Sequence, residues 1–399
     1  MSEPGERLSV ISGIGQSAVG RRLGRAAIDL TLDACLAAIS DAGLTTDDVD
    51  GLSTYPGGLM DTFEPGFGGP GTPDVQDALR LNLRWHSGGP EGPGQIVAVF
   101  NACSAIAAGL ARHVLVYRTV WESTAQGQGG RRGIGGGQHA RIGGAHQWLI
   151  PFGALSAANY LAMNAQRHFH EYGTTREHLG WIAVNARRNA GLNPKANYRD
   201  PMTLEDYLAA RMITTPLCLF DCDIPADGST AFVISHRDYA PDAPNPVVHV
   251  NAIGTAREGR PSWDQRTDLT VAVMKAPADM MWSRTELRPG DVDTAQLYDG
   301  FSIITLLNLE ALGFCGVGEA GPFVEGGKRI AIGGALPLNT SGGQLSAGRL
   351  HGFGFLHEAC VQLRGEAGDR QVAGNPEVAA VAVGGGPIAG SMLVTQGVR

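Results

Sequence analysis

The chain has 399 residues, 43% hydrophobic and 18% charged, with a net charge of −8. That length holds two or three domain-sized units or one duplicated core. The acidic balance and the lack of a long basic run argue against nucleic acid as a partner. Six scattered cysteines without paired spacing (35, 103, 218, 222, 315 and 360) read as reduced and cytosolic. The opening MSEPGERLSV has no leader pattern, and no apolar run approaches the ~18 residues of a membrane span, so a cytoplasmic location is expected.

In chain order, VISGIGQSAVG (10–20) begins as a strand, and 26–42 is a helix stopped by Gly43. Its glycines echo a dinucleotide fingerprint only loosely. DGLST (50–54) is a short strand. GPEGPG then runs into 94–109, a helix of small apolar residues that must be buried. Such an elbow favours negative charge at its N–H groups, yet it carries no Cys and no catalytic Ser. HVLVYRTV (113–120) reads as a strand covered on both faces. Residues 121–220 hold a glycine cluster (126–144) and helices at 153–172 and 176–190, and are expected to form an inserted cap. DIPADGSTAFVIS (223–235) returns to a loop and strand.

The second half repeats the plan. Expected are a strand at 246–254, a helix at 265–283 and a strand and turn at 294–302. An apolar helix at 303–313, a Gly/Ser-rich loop at 336–354 and two strands around a glycine turn at 377–396 complete it. DGSTAFVIS in one half answers IAGSMLVTQ in the other. This supports duplication of a βαβαβ-type unit with mainly parallel central strands. Domain bounds follow as 1–120 with 221–240, a cap at 121–220, and 241–399.

Six stretches in order carry a family resemblance. They are the elbow and helix at 88–110, YGTTREHLGWIAVNARRNAGLNP (172–194), TPLCLFDCDIPADGSTAFVIS (215–235), LYDGFSIITLLNLEALGFC (297–315), NTSGGQLSAGRLHGFG (339–354) and VAVGGGPIAG (381–390). Together they resemble the thiolase superfamily, in its lipid-transfer, sterol-carrier-protein-type branch. The resemblance implies a five-layer α-β-α-β-α fold of two similar halves, usually a homodimer, acting on coenzyme A thioesters. The chain departs from true thiolases at each catalytic place. The elbow falls near Glu91–Gly92, the HDxF-like turn reads Tyr298-Asp299-Gly300-Phe301, the GHP-like turn reads Gly348-Arg349-Leu350-His351, and Ala382 precedes the C-terminal glycines. Acyl transfer through a covalent intermediate needs a thiolate, and none is in position.

Aldolases that release the last side-chain fragment of steroid-like acyl-CoAs lack these cysteines too. This chain resembles them in its YDxF-type turn. The resemblance implies a small OB-fold, zinc-binding partner of the DUF35 type. Retro-aldol cleavage of a β-hydroxyacyl-CoA requires a proton taken from the β-hydroxyl and an enolate stabilised and protonated. Tyr298, with a reference pKa near ~10, is the expected base if its site favours the phenolate, with Arg349 as one source of that bias. His351 and Arg349 are the expected acid or enolate stabiliser, since the second Tyr of the steroid aldolases is missing. Asn339, with Ser341, Gly343, Gly385 and Gly386, is a candidate for an oxyanion hole. Asp299 is expected to cap the following helix, and Glu91 is a candidate base in the elbow.

Cys103, mid-helix, reads as an inert buried thiol. Cys218 and Cys222 lack a second pair for zinc. His168 and His170 point apart on a helix, and His357 reads as structural. Arg187 and Arg188 read as a solvated helix face rather than phosphate ligands. No tightly bound cofactor and no metal are expected; coenzyme A enters as part of the substrate. Two alternatives stand beside the lyase: a thiolase acting on a 3-oxoacyl-CoA, and a non-catalytic scaffold for an acyl-CoA complex. The glycine-rich 126–144 segment is expected to close over substrate or meet a partner.

Overall fold

Strands buried on both sides organise the chain. The computed structural model describes residues 3–58, 65–129, 146–154, 156–260, 262–385 and 388–398. The first half contributes β1 (Ser9–Gln16), α1 (Ala27–Asp41), β2 (Gly51–Thr54), α2 (Thr72–Leu79), β3 (Trp85–Gly88), α3 (Val97–Ala107) and β4 (His113–Trp121). The next stretch holds α4 (Glu122–Gly129), α5 (Ala157–Tyr172), α6 (Arg176–Gly191), β5 (Met212–Thr214) and β6 (Leu217–Cys218), and β7 (Asp227–His236) follows. The second half contributes β8 (Val248–Gly254), α7 (Lys275–Ser283), β9 (Thr294–Leu297), α8 (Ser302–Ala311), α9 (Phe353–Leu363), β10 (Val378–Val383) and β11 (Gly390–Thr395).

The strand order is β3-β2-β4-β7-β1-β8-β11-β10-β9. Outward from the β1–β8 seam, the two halves read alike. β7 and β11, which carry the matching sequences, each lie antiparallel beside the first strand of their half. The seam itself joins only Val10 to His249 and Ile11 to Val248. The halves therefore join in one nine-stranded run that is narrowest at this seam.

Side chains sort the layers. Along β4, Leu115 and Tyr117 face a core with α1 and α2, whereas Val114 and Val116 face the core containing α3. α3 and α9 form the middle helical layer, and α7 packs on β8 and β11. This is the five-layer α-β-α-β-α thiolase fold. Strands covered on both faces explain the near-continuous apolar runs. Gly13 and Gly15 serve that packing: a Cβ on either would lie 2.1 or 2.2 Å from an α1 carbonyl oxygen. Their spacing reflects helix-on-strand contact and not a phosphate loop.

Two expectations are corrected. The central pairings are antiparallel; parallel pairing is confined to β2 with β3 and β4, and β9 with β10. Each half ends on a strand that returns against its own first strand, which reverses direction at the centre. The helix expected over 265–283 begins only at Lys275. Upstream, Asp268 accepts bonds from the Thr270 N–H (2.8 Å) and hydroxyl (2.7 Å), a local turn that competes with helix. Residues 122–226 link β4 to its antiparallel neighbour β7. Residues 130–144 of the glycine cluster lie outside the described residues. Among the described residues, no helix is long and apolar enough to cross a membrane.

Candidate active site

β9 ends at Leu297, and the chain turns through Tyr298-Asp299-Gly300-Phe301 into α8. The Tyr298 N–H donates to the Ala382 carbonyl at 2.8 Å, tying the turn to β10. Gln95, just before α3, donates its Nε2–H to the Tyr298 hydroxyl at 3.3 Å. The elbow thus meets Tyr298 through a neutral amide. Glu91, the candidate base of the elbow, is exposed, and the chain still has to pass Pro93 and Gly94 before reaching the buried helix. Burial pushes the Tyr298 hydroxyl pKa up and the Asp223 charge adds to this, while the Gln95 bond and Arg349 oppose it. The site does not favour a standing phenolate.

Asp299 does not cap α8, whose N-cap position is Phe301 without a side-chain bond. It accepts the Gln344 N–H at 2.7 Å and so ties the turn to the glycine-rich loop. Burial raises its carboxyl to about 7, against the hydrogen bonds of Gln344 and Leu345. Gly343 is required there: its φ is +56°, and a Cβ would fall 1.9 Å from Asp299 Oδ2. Asn339 is spent elsewhere. Its Oδ1 accepts the Leu297 N–H at 2.7 Å and its Nδ2 donates to the Leu297 carbonyl at 2.8 Å. Both amide ends therefore brace β9. Gly385 packs against Ile304, and Gly386 lies outside the described residues.

The same loop carries Arg349 and His351. Arg349 N–H donates to Ile224 O at 2.8 Å, which brings Asp223 alongside. Its guanidinium donates from Nε to Glu122 Oε2 at 2.7 Å and from Nη1 to Asp223 Oδ1 at 3.2 Å. Arg349 is thus committed to two carboxylates. Burial alone would raise the Glu122 carboxyl, but the Arg349 charge overrides it and holds it at about 2. His351 is buried with φ +49°; its N–H donates to Gln344 Oε1 at 3.1 Å and its Nδ1 meets Arg118 Nη2 at 2.8 Å. Its Nε2 is 3.8 Å from Glu122 Oε1, beyond hydrogen-bond range. Burial pushes the imidazole pKa down to about 4, with Arg118 and Arg349 adding to this and Glu122 opposing it.

Among the described residues, buried polar atoms without a hydrogen-bond partner gather here: Gln344 Nε2, His351 Nε2, Asp299 Oδ2, Gln95 Oε1 and Arg118 Nε. Such atoms cost stability and mark where a ligand's polar groups fit. A cleft lined by Asn193, Lys195, Gln344, Leu350, Phe355 and His357 opens toward Gln344.

Sequence reasoning missed Gln95, Arg118, Glu122, Asp223 and Gln344. For Arg118 a signal existed: a lone charge inside the apolar strand HVLVYRTVW is buried by topology. Arg187 also departs from expectation. It is buried, donates to Ser346 Oγ at 3.0 Å and lies over the Tyr198 and Phe220 rings, supporting the loop instead of solvating α6. Cys103 is buried in α3 with its thiol pushed up to about 12, as an inert cysteine should be. No cluster suited to a metal ion occurs among the described residues.

Fold and site define a thiolase-like protein whose elbow carries no thiol. A family model for thiolase C-terminal domain-like sequences matches residues 255–395. The chain is 37% identical over 374 residues to the steroid side-chain-cleaving aldolase of Thermomonospora curvata, covering 90% of each. It is 35% identical to the 17-hydroxy-3-oxo-4-pregnene-20-carboxyl-CoA lyase of Mycobacterium tuberculosis, covering 96% of this chain and 98% of that one. The solved Ltp2-ChsH2(DUF35) aldolase superposes with a TM-score of 0.84 at 34% identity, covering 97% and 98% of the two chains. The chain belongs to the thiolase-like family, in its sterol-carrier-protein-type branch. It is an enzyme, a carbon–carbon lyase of the aldolase type.

Proposed function

We propose that the chain breaks the Cα–Cβ bond of a β-hydroxyacyl-CoA bearing a bulky, steroid-like acyl group, by proton transfer without an acyl-enzyme. The observation that carries this reading is the Gln95–Tyr298 contact at 3.3 Å, which pairs a buried phenol with a neutral amide beside an elbow that carries no thiolate. Tyr298 keeps its proton at neutral pH, so it works as a relay. The β-hydroxyl proton moves to the Tyr298 oxygen as the phenol proton moves to Cα. The carbon–carbon pair becomes the new C–H bond through the thioester enolate, a ketone or aldehyde leaves, and Tyr298 is restored. Gln95 supports the negative charge passing through the phenol oxygen. His351 Nε2 and Gln344 Nε2 are unspent groups suited to the thioester oxygen as charge develops there.

Coenzyme A enters with the substrate, and no other cofactor is needed. The solved aldolase pairs with a DUF35 protein. A like partner, a homodimeric core and a cytoplasmic setting complete the proposal, with residues 121–220 as the cap over the substrate.

The test is Tyr298→Phe in the complex with a DUF35-type partner, following release of the carbonyl product and short acyl-CoA. General acid–base loss predicts a fall of ~10²–10⁴-fold in kcat, with substrate binding retained. A Tyr298→Phe enzyme at the wild-type rate would sink the reading. Across neutral pH the wild-type rate should show no tenfold-per-unit rise; such a rise would mean a phenolate base instead of a relay.

A further inference from the structure

We infer that Arg118 is a positioning residue that fixes His351 as the Nε2–H tautomer and so keeps one donor free for the substrate. The inference deepens the reading above and rests on His351 facing the substrate. A guanidinium has only N–H donors and no acceptor. At 2.8 Å from Arg118 Nη2, His351 Nδ1 must accept, so the proton of the neutral ring sits on Nε2. That Nε2 is buried and has no hydrogen-bond partner among the described residues.

Arg118 is itself held on three sides. Its Nη1 donates to the Tyr55 carbonyl at 2.9 Å, and the guanidinium lies 5.3 Å from the Tyr55 ring centre and 5.0 Å from that of Phe67. Phe67 also meets the His351 ring edge-on at 4.7 Å. Tyr55 and Phe67 thus fix the arginine, and Phe67 and the backbone bond to Gln344 fix the imidazole.

The charged groups facing His351 are Arg118 on β4, Glu122 on α4 and Arg349 on its own loop. Glu122 is the natural taker of the Nε2 proton. Arg349 holds that carboxylate from Nε at 2.7 Å and from Nη2 at 2.5 Å, leaving it 3.8 Å from the imidazole. The two arginines therefore do opposite jobs. Arg118 fills Nδ1, and Arg349 restrains the group that would otherwise fill Nε2.

The direct measurement is the tautomer. Nitrogen-15 histidine labelling of the full chain, with the signal assigned through His351→Gln, should show a pyridine-type Nδ1 and a proton-bearing Nε2 from pH 5.5 to 8. A proton on Nδ1, or a doubly protonated ring at pH 7, overturns the inference whatever the activity. Arg118→Met should lower kcat roughly tenfold or more and move the acid limb of kcat/KM upward by about one pH unit, with KM changing little. Arg118→Lys, which keeps charge and donor, should restore most of the limb's position. An Arg118→Met enzyme with the wild-type pH profile also overturns it. The tautomer is read without turnover, so failure of the Tyr298 reading leaves it standing, and its own failure leaves Tyr298 untouched.

Discussion

Two fully buried histidines make opposite use of the same ring. His168, on α5, bonds through Nδ1 to Thr174 Oγ1 at 2.8 Å and through Nε2 to Glu310 Oε1 at 3.2 Å. His351, in the loop before α9, fills Nδ1 and leaves Nε2 empty. A ring satisfied at both nitrogens joins elements together. A ring satisfied at one is oriented but not consumed, and the fold bears the cost of its idle donor. Burial by itself does not separate the two; the partner count does.

The largest expected effect breaks this pair apart. His351→Ala should lower kcat/KM by ~10²–10⁴-fold while the protein stays folded. His168→Ala should leave kcat/KM near wild type but remove one buried bond each from Thr174 and Glu310, which keeps the Ala320 N–H, costing about 1–3 kcal/mol in urea unfolding. Equal activity losses in the two variants would erase the distinction.

A second, smaller effect is pH-dependent stability. The folded pKa of His351, about 4, lies below its ordinary 6.5, so the unfolded chain binds the proton more tightly. Its contribution is complete above pH 6.5 and is lost as pH falls toward 4. At 1.36 kcal/mol per unit, this amounts to roughly 3 kcal/mol. Asp299, raised from 3.8 to about 7, has the opposite sign: its contribution is present below 3.8 and is lost as pH rises to 7. Comparing wild type with His351→Gln by urea midpoint between pH 4 and 7 isolates the histidine part. Parallel curves would contradict it.

The smallest effect sharpens the comparison from outside the site. Cys103→Ala should leave the rate unchanged and cost only a fraction of a large core truncation, since it removes one buried atom of sulfur. Loss of turnover in this variant would bring back a covalent route.

The sequence exposed much of the frame because periodicity is local. The apolar runs at 113–120 and 377–396 and the small-residue helix at 94–109 all stand where their patterns put them. Tyr298 and His351 each stand in a short turn with family likeness, and the structure buries both. The misreadings share one cause. Asp299 and Arg187 bond to residues far along the chain, Gln344 and Ser346, and nothing local says whether their bonding atoms are free. Arg349 is spent on Glu122 and Asp223, which lie 227 and 126 residues away in the chain. Gln95 and Tyr298 meet across 203 residues.

By itself, then, the sequence determined which segments are buried and that the elbow lacks a thiol, because those facts depend on residue type and short-range pattern. Tertiary structure alone decided strand direction at the centre and which polar atoms remain unspent. A hydrogen bond depends on position to a fraction of an ångström, and those positions are set by strands and loops hundreds of residues apart.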